Sequence, residues 1–381
     1  MSQHLIPRIT GSGQKKILAL DGGGIRGMIT VEILSAIEDV LRAAQPEDKR
    51  DSFVLADYFD FVAGTSTGAI LAACISLGMP VNKIREFYKS SGKDMFDKVW
   101  FGERLWKNKY ADESLAKKLK QEFGENVTLG DAKLRTVLMM VMRNVNTDSP
   151  WPIWNNPTAK YNARDRKDCN LDIPLWQLVR ASTAAPTFFP PEEVIFAAGT
   201  PKEYRFVFVD GGITTYNNPA FQAFIMATAE PYNLTWPAGE GQLLIVSVGT
   251  GTSPDANKGL EKDDVNLIYN ATKIPSALMF AALNEQDLLC RVFGRCLAGD
   301  QLDREVGDLI GKTGPVSPKL FTYMRYNAEL SREGLESLGL EKIEPKHVQQ
   351  LDSTDHIEDL QTVGKTIGKH KVLPAHFKGF A

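Results

Sequence analysis

The chain has 381 residues, 43% of them hydrophobic and 24% charged, enough apolar material for one large α/β domain or two smaller ones. A net charge of −3 argues against a general nucleic-acid binder, so DNA and RNA are not expected partners, although a local basic pocket is compatible with it. Cys74, Cys169, Cys290 and Cys296 form no CxxC pair and suggest no disulfide framework. Residues 1–16 lack the apolar centre of a secretory signal, and no run reaches ~18 consecutive apolar residues, so the expectation is a reducing, cytoplasmic protein.

Taken in order, Lys15 to Asp21 is a short apolar run that turns into Gly22-Gly23-Gly24-Ile25-Arg26-Gly27. A helix is expected from Thr30 to Ala44, where Val31, Ile33, Leu34, Ile37, Val40 and Leu41 share a side. Asp57 to Ala63 reads as a strand, Ala69 to Cys74 as a helix of small residues, and Val81 to Ser90 as a further helix. Met95 to Tyr110 mixes Phe96, Trp100, Phe101, Trp106 and Tyr110 with Lys98, Arg104, Lys107 and Lys109. It reads either as a segment packed over the core or as a lid facing a lipid interface, which tryptophan and lysine together suit. Glu113 to Phe123 is expected to be helical and Leu134 to Arg143 a buried strand, while Asn144 to Cys169 reads as a polar surface excursion. Helices at 175–185 and 219–229 alternate with strands at 204–209 and 243–248, a pattern that implies a mostly parallel sheet covered on both faces. After residue 255 helices dominate, with breaks expected at Pro275, Gly299 and Gly307, a late strand at 321–326, and a last amphipathic helix marked by Ile357, Leu360, Val363 and Ile367.

Three stretches carry chemistry. Gly64-Thr65-Ser66-Thr67-Gly68 lies between an apolar run and a small-residue helix, the pattern of a nucleophile elbow. A serine on so tight a turn leaves no room for side chains two residues to either side, hence Gly64 and Gly68. The helix that follows aims its N-terminal amides at the same point. The first glycine cluster matches G-x-G-x-x-G and admits two readings: a dinucleotide fingerprint, which would make the chain an NAD-dependent oxidoreductase, or an oxyanion hole built from backbone N–H groups. The dinucleotide reading lacks an acidic residue at the end of a clear second strand and leaves the serine motif unexplained. Arg26 adds positive charge beside the cluster and can meet a substrate phosphate. A serine nucleophile needs a base, yet the histidines are His4, His347, His356, His370 and His376, with none from residue 5 to 346. Asp210 is the leading carboxylate candidate because it closes a strand and precedes Gly211-Gly212; Asp21 and Asp60 are weaker ones.

Together, DGGGIRG (21–27), GTSTG (64–68) and DGG (210–212), with the stretch Ala181 to Pro190, closely resemble the patatin-like phospholipase family from Lys15 to Gly251. The resemblance implies a patatin-like three-layer α/β fold with a mostly parallel central sheet and a helical C-terminal extension. It divides the chain into a catalytic domain at 15–255 and a mainly helical, regulatory or packing region at 256–381. It implies a Ser66–Asp210 dyad with Asp210 as base, supported by Gly211 and Gly212. Gly22, Gly23, Gly24, Arg26 and Gly27 would line the oxyanion hole. Hydrolysis of acyl esters of membrane phospholipids would need no metal or cofactor and would take place at the inner face of the cell membrane. The C-terminal third is similar in layout to bacterial anti-phage effector phospholipases switched on by cyclic oligonucleotides, which implies a cyclic di- or trinucleotide activator and is compatible with a homo-oligomer. Arg291, Arg295 and Arg304, with Lys319 and Arg325 beyond, are the candidate phosphate contacts; the competing reading is a solvated face paired with Asp287, Asp300, Asp303 and Glu305. A nucleotide-sensing protein with a vestigial hydrolase site is the alternative function.

Overall fold

The structure, a computed structural model, describes residues 3–96, 115–186, 189–253, 267–352 and 354–380. In chain order the elements that matter are β1 (Lys15–Leu20), α1 (Gly27–Ala43), β2 (Phe61–Thr65), α2 (Thr67–Ser76), α3 (Val81–Phe96), β3 (Val137–Asn144), β4 (Ser149–Trp154), α4 (Leu175–Ser182), β5 (Glu192–Phe196), β6 (Tyr204–Asp210), α5 (Ala220–Thr228), β7 (Leu243–Val248), α6 (Leu267–Phe293), β8 (Arg295–Ala298), β9 (Thr322–Tyr326), α7 (Pro345–Gln349) and α8 (Ile357–Lys371). They form one sheet in the order β5-β6-β3-β2-β1-β7-β9-β8, with β4 also paired to β3.

Strand residues alternate between two cores because successive side chains leave a strand on opposite faces. Leu18, Leu20, Val62, Leu138, Met140, Val246 and Met324 enter one core, where α1, α2 and α8 pack. Ile17, Ala19, Phe61, Ala63, Met139, Ile245 and Tyr323 enter the other, covered by α5 and the end of α6. This is the α/β sandwich expected, and the central strands β2, β1, β7 and β9 run parallel. Buried Glu32 of α1 accepts from Arg85 of α3 and Gln361 of α8, each at 2.7 Å, and so ties three helices of one layer together.

Several expectations are corrected. The excursion at 144–169 contains β4, antiparallel to β3, and its tryptophans are core residues: Trp154 is buried against Phe61, and Trp151 packs on Phe196, Phe206 and Phe208. Pro150 and Pro152 hid this strand, but its only pairing among the described residues is with β3, and an edge strand tolerates prolines. Position 275 does not end a helix, since α6 runs unbroken from Leu267 to Phe293. The region beyond 255 is helical in α6, α7 and α8 and carries the late strand expected at 321–326 as β9, which pairs in parallel with β7; β8 is an addition, paired with β9, so a single sheet crosses residue 255. Residues 97–114, most of the aromatic and basic stretch, lie outside the described residues, as do the side chains of Met95 and Phe96. No helix among the described residues is long and apolar enough to cross a membrane.

Candidate active site

The site is made where β2 and β6 meet head-on along one edge of β3. β2 pairs with β3 from Phe61↔Val137 to Thr65↔Val141, and β6 pairs with β3 only at Met142–Asn144. Since β4 occupies the opposite edge of β3 over 139–144, β2 and β6 must share an edge and end facing each other. β6 is antiparallel here, so Asp210 reaches the end of β2 by arriving from the far side rather than by lying at the carboxyl edge of a parallel sheet. The gap is closed by Ser182, whose hydroxyl donates to the Val141 carbonyl at 2.5 Å and accepts the Ser66 N–H at 3.0 Å. The Asp210 N–H is held by the Ala184 carbonyl at 2.9 Å.

Ser66 sits between β2 and α2 at φ 55°, ψ −123°, a conformation that costs about 1–3 kcal/mol for a residue with a side chain. The flanking glycines explain how the turn closes. A Cβ on Gly64 would lie 2.1 Å from the Gly68 carbonyl oxygen, and one on Gly68 would lie 2.2 Å from the Leu20 carbonyl oxygen. The strained turn presents the hydroxyl to Asp210: Ser66 Oγ donates to Oδ2 at 2.6 Å, while Oδ1 accepts the Gly212 N–H at 2.6 Å. Burial pushes the Asp210 carboxyl up to about 6, against the pull of the Ser66 and Gly212 hydrogen bonds and the positive charge of Arg180. A carboxylate tuned to that range is a far better proton acceptor than an exposed aspartate.

The glycine loop after β1 faces the same hydroxyl, for a Cβ on Gly22 would stand 3.2 Å from Ser66 Cβ. Its amides divide into two sets. Gly22 donates to the Asn217 carbonyl, Ile25 to the Leu351 carbonyl, Arg26 to the Gly23 carbonyl, and Gly27 to the Gly24 and Ile25 carbonyls. The N–H groups of Gly23 and Gly24 have no acceptor among the described residues; at the start of α2 the Ala69 and Ile70 amides donate to the Ser66 carbonyl, while those of Thr67 and Gly68 have no acceptor among the described residues. Gly24 has φ +58°, and a side chain there would strike the Leu351 carbonyl oxygen at 2.1 Å. Arg26 is half-buried, its Nε lacks a partner among the described residues, and desolvation pulls its guanidinium down to about 10 despite the nearby charge of Asp21.

The weaker base candidates are engaged elsewhere. Asp21 is fully buried and doubly bonded by Arg325 at 2.8 and 2.5 Å, with Arg325 also donating to Ser247 Oγ. Asp60 precedes β2, at the opposite end of the sheet, and accepts from Arg8 and the Lys16 N–H. His376 pairs with the Tyr326 hydroxyl, and His347 and His356 face Asp359. All four cysteines are free and buried. The candidate phosphate-binding arginines have different surroundings. Arg291 is buried, ion-paired to Asp287 and donating to the Asp300 and Asp308 carbonyls. Arg295 pairs with Glu240, and Arg304 is exposed.

Residue-by-residue reading assigns no role to Ser182, Asn217 or Thr250, and it places Arg325 among the phosphate candidates rather than on Asp21. Thr250 donates to the Gly22 carbonyl at 2.9 Å, and Asn217 holds the Gly22 amide through its own carbonyl. Ser182 lay in a stretch already singled out, and Thr250 follows β7 in Gly249-Thr250-Gly251. Neither residue type signals a role without the partner that the fold brings to it.

Fold and site define an α/β protein of the nucleophile-elbow class in which a carboxylate, not an imidazole, faces the serine. The model of the patatin-like phospholipase family matches residues 18–224, more than half of the chain, and the chain belongs to that family. It is 28% identical to Patatin-T5 of Solanum tuberosum over 312 residues, covering 74% of this chain and 77% of that one. It is 30% identical to Patatin group J-1 of the same species over 257 residues and 29% identical to Patatin-17 of Solanum cardiophyllum over 258 residues, in both cases 64% of this chain and 62% of the relative. Among solved structures, VipD from Legionella pneumophila aligns with a TM-score of 0.40 and 14% identity over 94% of this chain and 68% of that one.

Proposed function

We propose that the protein is a lipid acyl hydrolase of the phospholipase A type that works through Ser66 and Asp210. The observation that carries this reading is the 2.6 Å hydrogen bond from the Ser66 hydroxyl to a buried carboxylate poised at about 6. Asp210 Oδ2 takes the serine proton as Oγ attacks the acyl carbonyl. The negative charge that develops on the carbonyl oxygen is met by the free amides of Gly23 and Gly24 and of the α2 N-terminus, each worth about 3 kcal/mol in the transition state. Collapse of the tetrahedral intermediate breaks the ester bond, and Asp210 returns the proton to the departing lysophospholipid. Water, deprotonated by the same carboxylate, then attacks the acyl-serine; the acyl–Oγ bond breaks, Asp210 hands that proton to Ser66 Oγ, and the fatty acid leaves. Arg26, whose buried Nε has no partner among the described residues, supplies charge for the phosphate of the head group.

Fatty-acid release from phospholipid vesicles tests the reading. Ser66→Ala and Asp210→Asn should each lower it about a thousandfold or more. Full activity in either variant would sink the dyad.

Control by a cyclic di- or trinucleotide in anti-phage defence, with action at the inner membrane face, is the finer reading. Its support is the layout of the C-terminal third and the exposure of Arg304 there. Adding cyclic di- and trinucleotides to the same assay decides it: release that no nucleotide changes removes the control, whereas nucleotide binding without release under any condition favours the sensing alternative.

A further inference from the structure

Away from the catalytic pair, the chain brings two histidines and an aspartate together at the junction of α7 and α8. His347 belongs to α7, His356 is the residue before α8, and Asp359 lies in the first turn of α8. The imidazoles are stacked, with centroids 3.6 Å apart and planes 4° from parallel. His347 Nδ1 is 3.3 Å and His356 Nδ1 3.7 Å from the same oxygen, Asp359 Oδ2. One ligand atom from each residue falls within 4.8 Å of the others, and all three residues are half-buried.

We propose that His347, His356 and Asp359 form a binding site for a divalent transition metal of the Zn²⁺ type, with no part in the catalytic step. A tetrahedral Zn²⁺ with bonds of about 2.0–2.1 Å sets its ligand atoms about 3.3 Å apart. The two nitrogen–oxygen separations, 3.3 and 3.7 Å, need only a few tenths of an ångström of adjustment. The rings must turn about their Cβ–Cγ bonds so that their lone pairs converge, and that torsion is soft. Partial exposure leaves the fourth position to water. The adjoining sequence adds Asp352, Asp355 and Glu358 against one cation, Lys346, which draws a dication to the junction.

The site has mechanical reach. The loop between the two histidines includes Leu351, whose carbonyl accepts the Ile25 N–H at 3.0 Å and abuts Gly24. A metal that fastens α7 to the start of α8 therefore steadies the loop on which the glycine cluster rests.

The test uses the full chain stripped by chelator. Zn²⁺ titrated by calorimetry should bind one ion per chain, and Co²⁺ should give the intense visible absorption of tetrahedral coordination. His347→Gln, His356→Gln and Asp359→Asn should each weaken binding tenfold or more while melting like the native chain in chelator. Zn²⁺ should also slow hydrogen exchange at Ile25. Native-like affinity in the double histidine variant, which retains His4, His370 and His376, would overturn the site. So would the lack of a tetrahedral Co²⁺ spectrum in the native chain, a readout that needs no variant to fold. Tight binding with unchanged exchange at Ile25 would keep the site and overturn its coupling to the glycine loop.

Discussion

Replacing Asp210 by Asn should abolish hydrolysis and stabilise the fold, by an amount that depends on pH. In the folded chain the Asp210 carboxyl is raised by burial from its ordinary 3.8 to about 6. Holding it ionised therefore costs the native state about 3 kcal/mol. Between these two values the folded chain binds more protons than the unfolded one, so this group lowers stability as pH rises through the window and leaves a constant penalty above it. Asn carries no charge, and its geometry is compatible with the site: Oδ1 keeps the Gly212 N–H, and Nδ2 can donate to Ser66 Oγ. The variant's advantage should be near zero below about pH 4 and should level off above about pH 6.5. With an unfolding entropy of about 2.1 cal/mol/K per residue, 3 kcal/mol over 381 residues corresponds to a rise of about 4 °C. Thermal and urea unfolding of both chains across this pH range measures it. A variant less stable than the native chain at pH 8, or an advantage that does not change with pH, would refute the argument that Asp210 is held ionised at a cost.

The same titration should appear in turnover: activity on a neutral short-chain ester should rise with pH through about 6 as Asp210 loses its proton, and a flat profile across that region would speak against it as base. Ser182→Ala removes the acceptor of the Ser66 N–H and the donor to Val141, and should cost about 1–3 kcal/mol in unfolding free energy together with a fall in kcat. Arg325→Met strands buried Asp21 and should cost about 3–5 kcal/mol; adding Asp21→Asn should restore much of it, which denaturant titration of both variants checks. Arg26→Gln should slow phospholipid cleavage more than cleavage of an uncharged ester, and equal slowing would remove its role toward phosphate. Gly68→Ala forces a Cβ to within 2.2 Å of the Leu20 carbonyl oxygen and should give little soluble protein.

The sequence alone carried the local part of this architecture. Apolar strands, helix periodicity and steric punctuation are short-range properties, so β1, β2, β7, β9 and the helices α1 and α8 were legible, as was the elbow at Ser66 with its two glycines. It also pointed to Asp210 rather than a histidine as the partner of Ser66, because no histidine occurs from residue 5 to 346. What it left open was long-range. β4 was hidden by Pro150 and Pro152, which only an edge position makes tolerable. Arg291 read as a surface charge until the fold buried it beside Asp287, and Arg325 did so until β9 carried it to Asp21. The Ser66–Asp210 contact depends on an arrangement that no local pattern encodes: β6 abuts β2 along one edge of β3 and brings Asp210 to a residue 144 positions away. Ser182 and Thr250 gain their roles in the same way, through hydrogen bonds that close at 3.0 and 2.9 Å only after the sheet has assembled. Sequence determines which groups are present and how each short segment bends; the pairing of distant strand ends determines which groups meet, because hydrogen bonding and desolvation act over a few ångströms of space, whatever the distance along the chain.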